Sequence, residues 1–97
     1  MSQNHFHTYI LRCSDCSYYV GHSDQLEVRV TQHNSGDFGG WTKSRRPVVL
    51  LWSEAFASRE DAFAAERRVK GWSRAKKEAL MAGDWSLVSS LSRNRQP

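Results

Sequence analysis

Two tyrosines that lie ten residues apart are the first candidates in this sequence for side chains that act together in a reaction. Tyr9 and Tyr19 lie in two runs rich in aromatic and β-branched residues, separated by the polar residues 14–17. This pattern predicts a β-hairpin. If residues 14–16 form the loop, Cys13 pairs with Ser17, and odd-numbered residues of both strands share a face because strand side chains alternate. The two hydroxyls would then lie at one end of a shared patch, unless the rings are an aromatic core pair.

A carboxylate interrupts the apolar stripe of a predicted helix. Ala62, Phe63 and Val69 recur at helical spacing and form the side expected to face the core. Glu66 falls inside that stripe, and a buried carboxylate is costly unless it is ion-paired, hydrogen-bonded or bound to a metal. Glu66 is therefore either a functional carboxylate or half of a structural salt bridge, with Arg29 as a candidate partner.

An earlier predicted helix places two more polar residues on one face. Leu26, Arg29 and His33 follow one another at spacings of three and four, beside Val30. Arg29 and His33 could therefore reach one phosphate group together.

Basic residues are clustered in two segments rather than spread along the chain. Tryptophans at positions 41 and 72 accompany them, a combination that fits a surface tracking a phosphate backbone. A solvated helix face is the alternative explanation for such charge. The candidate nucleic-acid-binding cations are Lys43, Arg45, Arg46, Arg67, Lys70, Arg74, Lys76 and Lys77.

The two cysteines have the spacing of a metal-binding pair. Cys13 and Cys16 form a C-x-x-C motif, and histidines stand at positions 5, 7, 22 and 33. A structural zinc site commonly uses two such pairs. With one pair, placed at a hairpin turn, the pattern favours a reduced strand residue and a turn residue over a zinc or thiol-redox site.

The remaining elements follow from periodicity, caps and breakers. A capping-box pattern over residues 58–61 predicts the start of the helix that carries Glu66. Asp24 is the expected N-cap of the helix that carries Arg29, and Ser73 is the expected cap of the helix that ends near Ala82. The sequence predicts strands over residues 6–13 and 17–23, helices over 25–35, 59–70, 73–82 and 85–91, and a buried central strand over the apolar run 48–52.

Size and composition restrict the class of protein. The 97 residues are 39% hydrophobic and 25% charged, with a net charge of +4, which is typical of one small domain suited to a polyanionic partner. We expect a single domain over residues 1–97, with its core in residues 6–91 and a flexible tail over 92–97. No apolar run approaches the roughly 20 residues that cross a bilayer, and no signal peptide is recognisable. The expected location is cytoplasmic, with no membrane partner.

Five ordered blocks of the sequence resemble the GIY-YIG endonuclease superfamily. The length is similar to that of its small stand-alone bacterial branch (YhbQ-like), whereas the related UvrC nuclease domain is fused to other domains. The blocks are Thr8-Tyr9-Ile10, Tyr19-Val20-Gly21, Leu26-x-x-Arg29-x-x-x-His33-Asn34-x-Gly36, Trp41-Thr42-x-x-Arg45-Arg46-Pro47-Val48 and Ala65-Glu66-x-x-x-Lys70-Gly71-Trp72.

This resemblance implies an α+β fold, a small three-stranded antiparallel sheet flanked by helices, with one divalent-metal site. By position, Glu66 would be the metal ligand, for Mg²⁺ or Mn²⁺, and Arg29 would bind the phosphate. Tyr9 and Tyr19 would orient or deprotonate the attacking water, and His33 would assist. The implied activity is hydrolysis of DNA phosphodiester bonds, structure-selective and in repair or recombination, with RNA not excluded.

The implied roles agree with general chemistry. Charge that develops on a phosphoryl group is stabilised by a metal ion and a guanidinium, and a single carboxylate suits magnesium, which keeps several waters. A phenol with a pKa near 10 is a poor base at neutral pH unless a neighbouring cation lowers it. Tyr9 could therefore act as general base, relay a proton through water, or only position the nucleophile.

The sequence also departs from the family pattern. Cys16 stands where a turn glycine is usual, Ser35 stands where some relatives carry lysine, and the asparagine found downstream of the glutamate in several members has no counterpart nearer than Asn94. A non-catalytic nucleic-acid-binding module is therefore the alternative. The joint presence of the tyrosines, Arg29 and Glu66 favours the enzyme, because a carboxylate repels a phosphate unless a cation intervenes.

Overall fold

A computed structural model describes residues 5–37 and 40–93 of the chain. Among these residues, no helix is long and apolar enough to cross a membrane. The elements are β1 (Phe6–Arg12), β2 (Tyr18–Ser23), α1 (Leu26–Ser35), a 3-10 helix (Gly40–Arg45), β3 (Val49–Phe56), α2 (Arg59–Lys70), α3 (Arg74–Met81) and α4 (Trp85–Arg93).

The hairpin of β1 and β2 has the register expected from the sequence. The backbone N–H of Cys13 donates to the carbonyl of Ser17 over 2.8 Å, and the pairing continues inward to Tyr9 opposite Gly21. Cys16 closes the loop with a φ of 69°. Tyr9 and Tyr19 therefore project from the same face of the sheet.

The three strands form an antiparallel sheet in the order β2-β1-β3. This sheet with its flanking helices confirms the expected α+β architecture. The expectation that the apolar run 48–52 is a buried central strand is wrong, because β3 lies at an edge and Val49 and Leu50 are 46% and 39% exposed. An apolar run cannot distinguish the middle of a sheet from an edge. The centre is taken by β1, whose residues Thr8 to Leu11 are all buried.

The two faces of the sheet carry two separate cores. On one face, Ile10 and Val20 pack with Val69 of α2 and with residues of α3 and α4. On the other face, Tyr9 and Leu11 pack with residues of α1. Helices α1 and α2 therefore cover opposite faces of the sheet and approach the edge strand β2 from both sides.

The helix caps follow the sequence at α2 and α3 but not at α1. The hydroxyls of Ser58 and Ser73 accept the backbone N–H groups of Asp61 and Lys76, as the cap patterns predict. The expected cap by Asp24 is wrong, because α1 begins one residue later and its N-cap, Gln25, makes no side-chain cap bond. The carboxylate of Asp24 instead pairs with Arg59 over 3.3 Å.

The last helix extends further than the sequence predicts. It runs over Trp85–Arg93, so that residues 92 and 93 of the expected flexible tail are helical. The rest of that tail, residues 94–97, lies outside the described residues.

Candidate active site

Tyr9 and Tyr19 meet above the backbone of Gly21, with ring centroids 6.4 Å apart. A Cβ atom built on Gly21 would lie 2.7 Å from the Tyr9 hydroxyl and 3.0 Å from a Tyr19 ring carbon. Only a residue without a side chain leaves room there, so Gly21 allows the Tyr9 hydroxyl to extend over the backbone of β2.

The Tyr9 hydroxyl belongs to a buried polar chain. It lies 3.1 Å from Nε2 of His33, and Nδ1 of His33 lies 2.8 Å from Oγ1 of Thr42. Tyr9, His33 and Thr42 are each 1% exposed. The charge of Arg29, four residues before His33 on α1, acts on the same hydroxyl and opposes the rise in its pKa that burial causes. His33 and Arg29 therefore both act on Tyr9 from α1.

The surroundings of these groups shift their pKa values in directions that matter for catalysis. Burial raises the pKa of Tyr9 strongly, the charges of Tyr19 and Glu66 raise it further, and Arg29 lowers it. Burial also raises the pKa of Tyr19, and Glu66 adds to this, while Lys70 and Arg29 oppose it. Burial, then the charge of Arg29, lowers the pKa of His33. At neutral pH both phenols are therefore protonated and His33 is neutral.

Glu66 is buried on α2 and paired on both of its oxygens. Its Oε1 lies 2.5 Å from Nδ1 of His22, and its Oε2 accepts a hydrogen bond of 2.7 Å from the ammonium of Lys70. Among the described residues these two are the ion-pair partners of Glu66, and Arg29, the salt-bridge candidate from the sequence, is not one of them. The charges of Arg29 and Glu66 nevertheless both affect the pKa values of Tyr9 and Tyr19, so both charges are within electrostatic reach of the two phenols.

The inward stripe of α2 differs from the prediction at one position. Ala62, Ala65, Glu66 and Val69 are its buried residues, whereas Phe63 is 44% exposed. The inward position of Phe63 was therefore a wrong prediction, because apolar character alone cannot assign a residue at the margin of the stripe. Phe63 lies beside the ring of His22, with centroids 5.2 Å apart.

Two residues of this region, His22 and Thr42, were not predicted from the sequence. His22 follows Gly21 and points to the face of α2, where strand alternation would have brought it to the inward Glu66. Thr42 lies on the 3-10 helix, and its contact with His33 depends on long-range packing that no local pattern reports.

Most of the candidate nucleic-acid-binding cations are exposed, and several have intramolecular partners. Arg45 stacks over Trp41, which in turn stacks on Tyr19, so the first basic segment adjoins the tyrosines. Lys76 is 5% exposed, with its ammonium 4.0 Å from the ring centroid of Trp72. The prediction of Lys76 as a surface cation is therefore wrong, because its stem is part of the core of the α3 face. The partly or fully exposed members are Lys43, Arg45, Arg46, Arg67, Lys70, Arg74 and Lys77.

The cysteines occupy the positions expected of a strand end and a turn. Cys13 is buried and Cys16 is exposed, and both are free thiols. Burial raises the pKa of Cys13, which makes its thiol unreactive at neutral pH.

The sheet and its flanking helices define a small α+β protein. The chain belongs to the GIY-YIG family, because the model of the GIY-YIG catalytic domain matches residues 5–79. Membership confirms the resemblance carried by the five sequence blocks, and it indicates an endonuclease-type function on a nucleic acid.

The relatives are small proteins of similar length from bacteria and archaea. A UPF0213 protein of Halobacterium salinarum is 45% identical over 74 residues, which are 76% of this chain and 96% of that protein. A UPF0213 protein of Bacillus pumilus is 40% identical over 80% of both chains. The solution structure of a UPF0213 protein of Bacillus halodurans matches with a TM-score of 0.53 and 38% identity, covering 80% of this chain and 83% of that one.

Proposed function

We propose that this protein is a divalent-metal-dependent endonuclease that hydrolyses phosphodiester bonds of DNA, acting on particular DNA structures in repair or recombination. The observation that carries the proposal is the convergence of unlike groups at the edge of β2. The phenol of Tyr9 is hydrogen-bonded to the imidazole of His33. The charges of the Arg29 guanidinium and of the buried Glu66 carboxylate affect the pKa values of both tyrosines. Each of these groups has a task in phosphodiester hydrolysis, and a purely structural core would not need them together.

The residues present fit a hard divalent cation. Glu66 offers carboxylate oxygens, the donors that Mg²⁺ and Mn²⁺ prefer. The described residues hold no group of three or more His, Cys, Asp and Glu that could form a cage. This composition suits an ion that keeps waters and substrate oxygens as its other ligands. When bound, such an ion would neutralise charge on the phosphoryl oxygens, and Glu66 would have to exchange its contacts with His22 and Lys70 for it.

The chain's own residues would carry the remaining steps. The Arg29 guanidinium binds a phosphoryl oxygen and stabilises the charge that develops there. Tyr9 stays protonated in the free protein because burial raises its pKa, so it acts as a relay and not as a preformed phenolate. It orients the attacking water, takes a proton from it and passes its own proton to His33 Nε2. Tyr19 lies beside Tyr9 and stacks on Trp41, which carries Arg45 of the first basic segment over its ring.

The decisive experiment is a cleavage assay on a panel of nucleic acids. Single-stranded, duplex, nicked, flap and branched DNA, with a single-stranded RNA, are incubated with Mg²⁺ or Mn²⁺ and, separately, with EDTA. We expect metal-dependent cleavage of one or more DNA substrates. Glu66→Gln should lower kcat by at least about 100-fold, a loss typical of removing one electrostatic catalyst. Cleavage confined to RNA would overturn the choice of DNA.

The matched control for Glu66→Gln is Glu54→Gln, which removes an exposed carboxylate on β3, at the opposite edge of the sheet. It should cleave like the unmodified protein. Equal cleavage by Glu66→Gln, or full cleavage in EDTA, would refute the metal-dependent mechanism.

A non-catalytic nucleic-acid-binding module is the second candidate function. One observation favours it: both oxygens of Glu66 are engaged by His22 and Lys70, which would neutralise the carboxylate beside a bound phosphate. Tight binding without cleavage of any substrate in the panel, with either metal, would select this function over the endonuclease.

A further inference from the structure

We propose that Thr42 is a positioning residue that holds His33 in the tautomer protonated on Nδ1, so that the unprotonated Nε2 can accept the proton of Tyr9. The proposal rests on the endonuclease function proposed above, in which His33 receives a proton from Tyr9. It concerns a residue on the 3-10 helix, outside the set expected to do chemistry from the sequence.

The geometry that supports it is a continuous chain of three buried side chains. Oγ1 of Thr42 lies 2.8 Å from Nδ1 of His33, and the Tyr9 hydroxyl lies 3.1 Å from Nε2 of the same ring. Each ring nitrogen therefore has a hydroxyl partner at hydrogen-bonding distance. A neutral imidazole carries one proton, so one nitrogen donates and the other accepts.

The two hydroxyl partners differ in acidity, and this difference decides which nitrogen carries the proton. A phenol, with a reference pKa near 10, is a better hydrogen-bond donor than an aliphatic hydroxyl, and the threonine hydroxyl is the better acceptor. The Tyr9 hydroxyl therefore donates to His33 Nε2, over 3.1 Å. With Nε2 accepting, Nδ1 carries the proton and donates it to Thr42 Oγ1, 2.8 Å away. Thr42 is thus the group that makes the Nδ1 tautomer favourable in a buried site.

The tautomer matters for the balance of the reaction. The water oxygen forms the new bond to phosphorus with its own electron pair, and one water proton moves to the Tyr9 oxygen. The Tyr9 proton moves to Nε2, and the bond from phosphorus to the leaving oxygen breaks with its electron pair, which a solvent proton then neutralises. His33 becomes an imidazolium whose Nδ1–H still donates to Thr42. With the opposite tautomer, Nε2 would already hold a proton and could accept none.

The direct test is the protonation pattern of the His33 ring, measured by two-bond proton–nitrogen NMR correlations in the metal-free protein without nucleic acid. Spectra are recorded at a pH where histidine is neutral, and the His33 signals are those lost in His33→Gln. We expect a protonated Nδ1 and a bare Nε2. A wild-type ring protonated on Nε2 would overturn the proposal, and this result needs no variant that might fail to fold.

Variants of Thr42 test its control of the ring. Thr42→Val keeps the shape but removes the acceptor, and we expect the Nε2-protonated form to appear and kcat to fall by about 100-fold, the size of a general-base contribution, with little change in KM. Thr42→Ser restores the hydroxyl and should restore both readouts. Thr31→Val, on the exposed side of α1, is the matched control and should change neither.

A folded Thr42→Val protein with an unchanged His33 tautomer would refute the role of Thr42. The NMR readout also separates this proposal from the proposed function. If no nucleic acid is cleaved but the ring has the expected tautomer and responds to Thr42→Val, the positioning holds and the endonuclease assignment fails.

Discussion

At the scale of single residues, Tyr9 belongs to the core and to the candidate site at once. Its ring packs with Leu11 on the α1 face, and its hydroxyl is hydrogen-bonded to His33. A phenol whose pKa is raised by burial cannot supply a standing phenolate at neutral pH. It is suited to a relay, in which it gains one proton as it gives up another, and the proposed mechanism assigns the role of neutral acceptor to His33, whose pKa burial lowers.

Gly21 is the residue whose replacement should most directly disturb this arrangement. In Gly21→Ala, the new methyl group would meet the Tyr9 hydroxyl at 2.7 Å and the Tyr19 ring at 3.0 Å. We expect the free energy of unfolding to fall by about 1–3 kcal/mol, as for overpacking in a core, and cleavage to fall with it. Urea denaturation and the cleavage assay measure the two effects.

Gly71→Ala is the matched control for Gly21→Ala. Gly71 has a φ of −83°, and a Cβ atom there would come no closer than 3.7 Å to its neighbours. This substitution should be neutral or stabilise the protein by about 0.4–1 kcal/mol through the unfolded chain. If both alanine variants have the same stability, the close approach at Gly21 does not constrain the tyrosines.

At the scale of elements, the residues of the candidate site come from two helices on opposite faces of the sheet and from the edge strand β2. Helix α1 brings Arg29 and His33, α2 brings Glu66, and β2 supplies Tyr19 and Gly21. The strand edge is where side chains from both faces can approach one substrate, because β2 is the outermost strand of the sheet that the described residues form. The orientation of α2 therefore sets the position of Glu66.

The N-caps allow the anchoring of α2 to be tested. Ser58→Ala removes the hydroxyl that accepts the Asp61 N–H and should lower the free energy of unfolding by about 1 kcal/mol. Asp24→Ala, which the sequence alone would rank as an equal loss, removes only an exposed ion pair with Arg59 and should cost less than about 0.5 kcal/mol. Chemical denaturation of both variants measures the two losses in the free energy of unfolding. A larger loss for Asp24→Ala than for Ser58→Ala would contradict the structure, in which Asp24 does not cap α1.

At the scale of the whole molecule, a net charge of +4 is modest for a protein that would bind a polyanion. The affinity and the specificity of nucleic-acid binding must therefore depend on the positions of the cations. Several of them are held by aromatic rings, as Arg45 is by Trp41 and Arg74 by Tyr18. Holding a cation in place reduces the side-chain entropy lost when a phosphate binds.

The salt dependence of nucleic-acid binding separates surface cations from buried ones. With duplex DNA in EDTA, Lys43→Ala should reduce the slope of log K against log salt by about 0.9, the contribution of one phosphate contact. Lys76→Ala should leave the slope unchanged but lower the free energy of unfolding, because its stem packs in the core. Fluorescence anisotropy and denaturation measure the two quantities, and an unchanged slope for Lys43→Ala would remove it from the binding surface.

The features predicted correctly from the sequence are those controlled by local geometry. Strand alternation placed Tyr9 and Tyr19 on one face, since a period of two leaves no freedom once the loop length is known. The caps at Ser58 and Ser73 were also correct, because a cap depends on residues within one turn of the helix.

The features missed depend on which elements meet. The edge position of β3 reflects the choice of β1 as the partner of both other strands, and the contact of Glu66 with His22 reflects the packing of α2 on β2. The contact of Thr42 with His33 joins a 3-10 helix to α1. Strand alternation gives the face on which His22 lies, but which element packs against that face is set by tertiary packing, which overrides local preference. The pairing of Glu66 with Lys70, four residues later on the same helix, does have a local signature.

The burial of Tyr9 and His33 has a consequence for how this protein would tolerate random change. Replacing active-site residues commonly stabilises an enzyme, because such sites carry strain or uncompensated charge. Here two residues assigned to the chemistry are among the largest fully buried side chains of the described chain and satisfy each other's polar atoms. In a library selected only for soluble yield, positions 9 and 33 would be depleted of substitutions as strongly as Ile10. A selection for soluble yield, made without any nucleic acid, would thereby retain two residues of the proposed catalytic site.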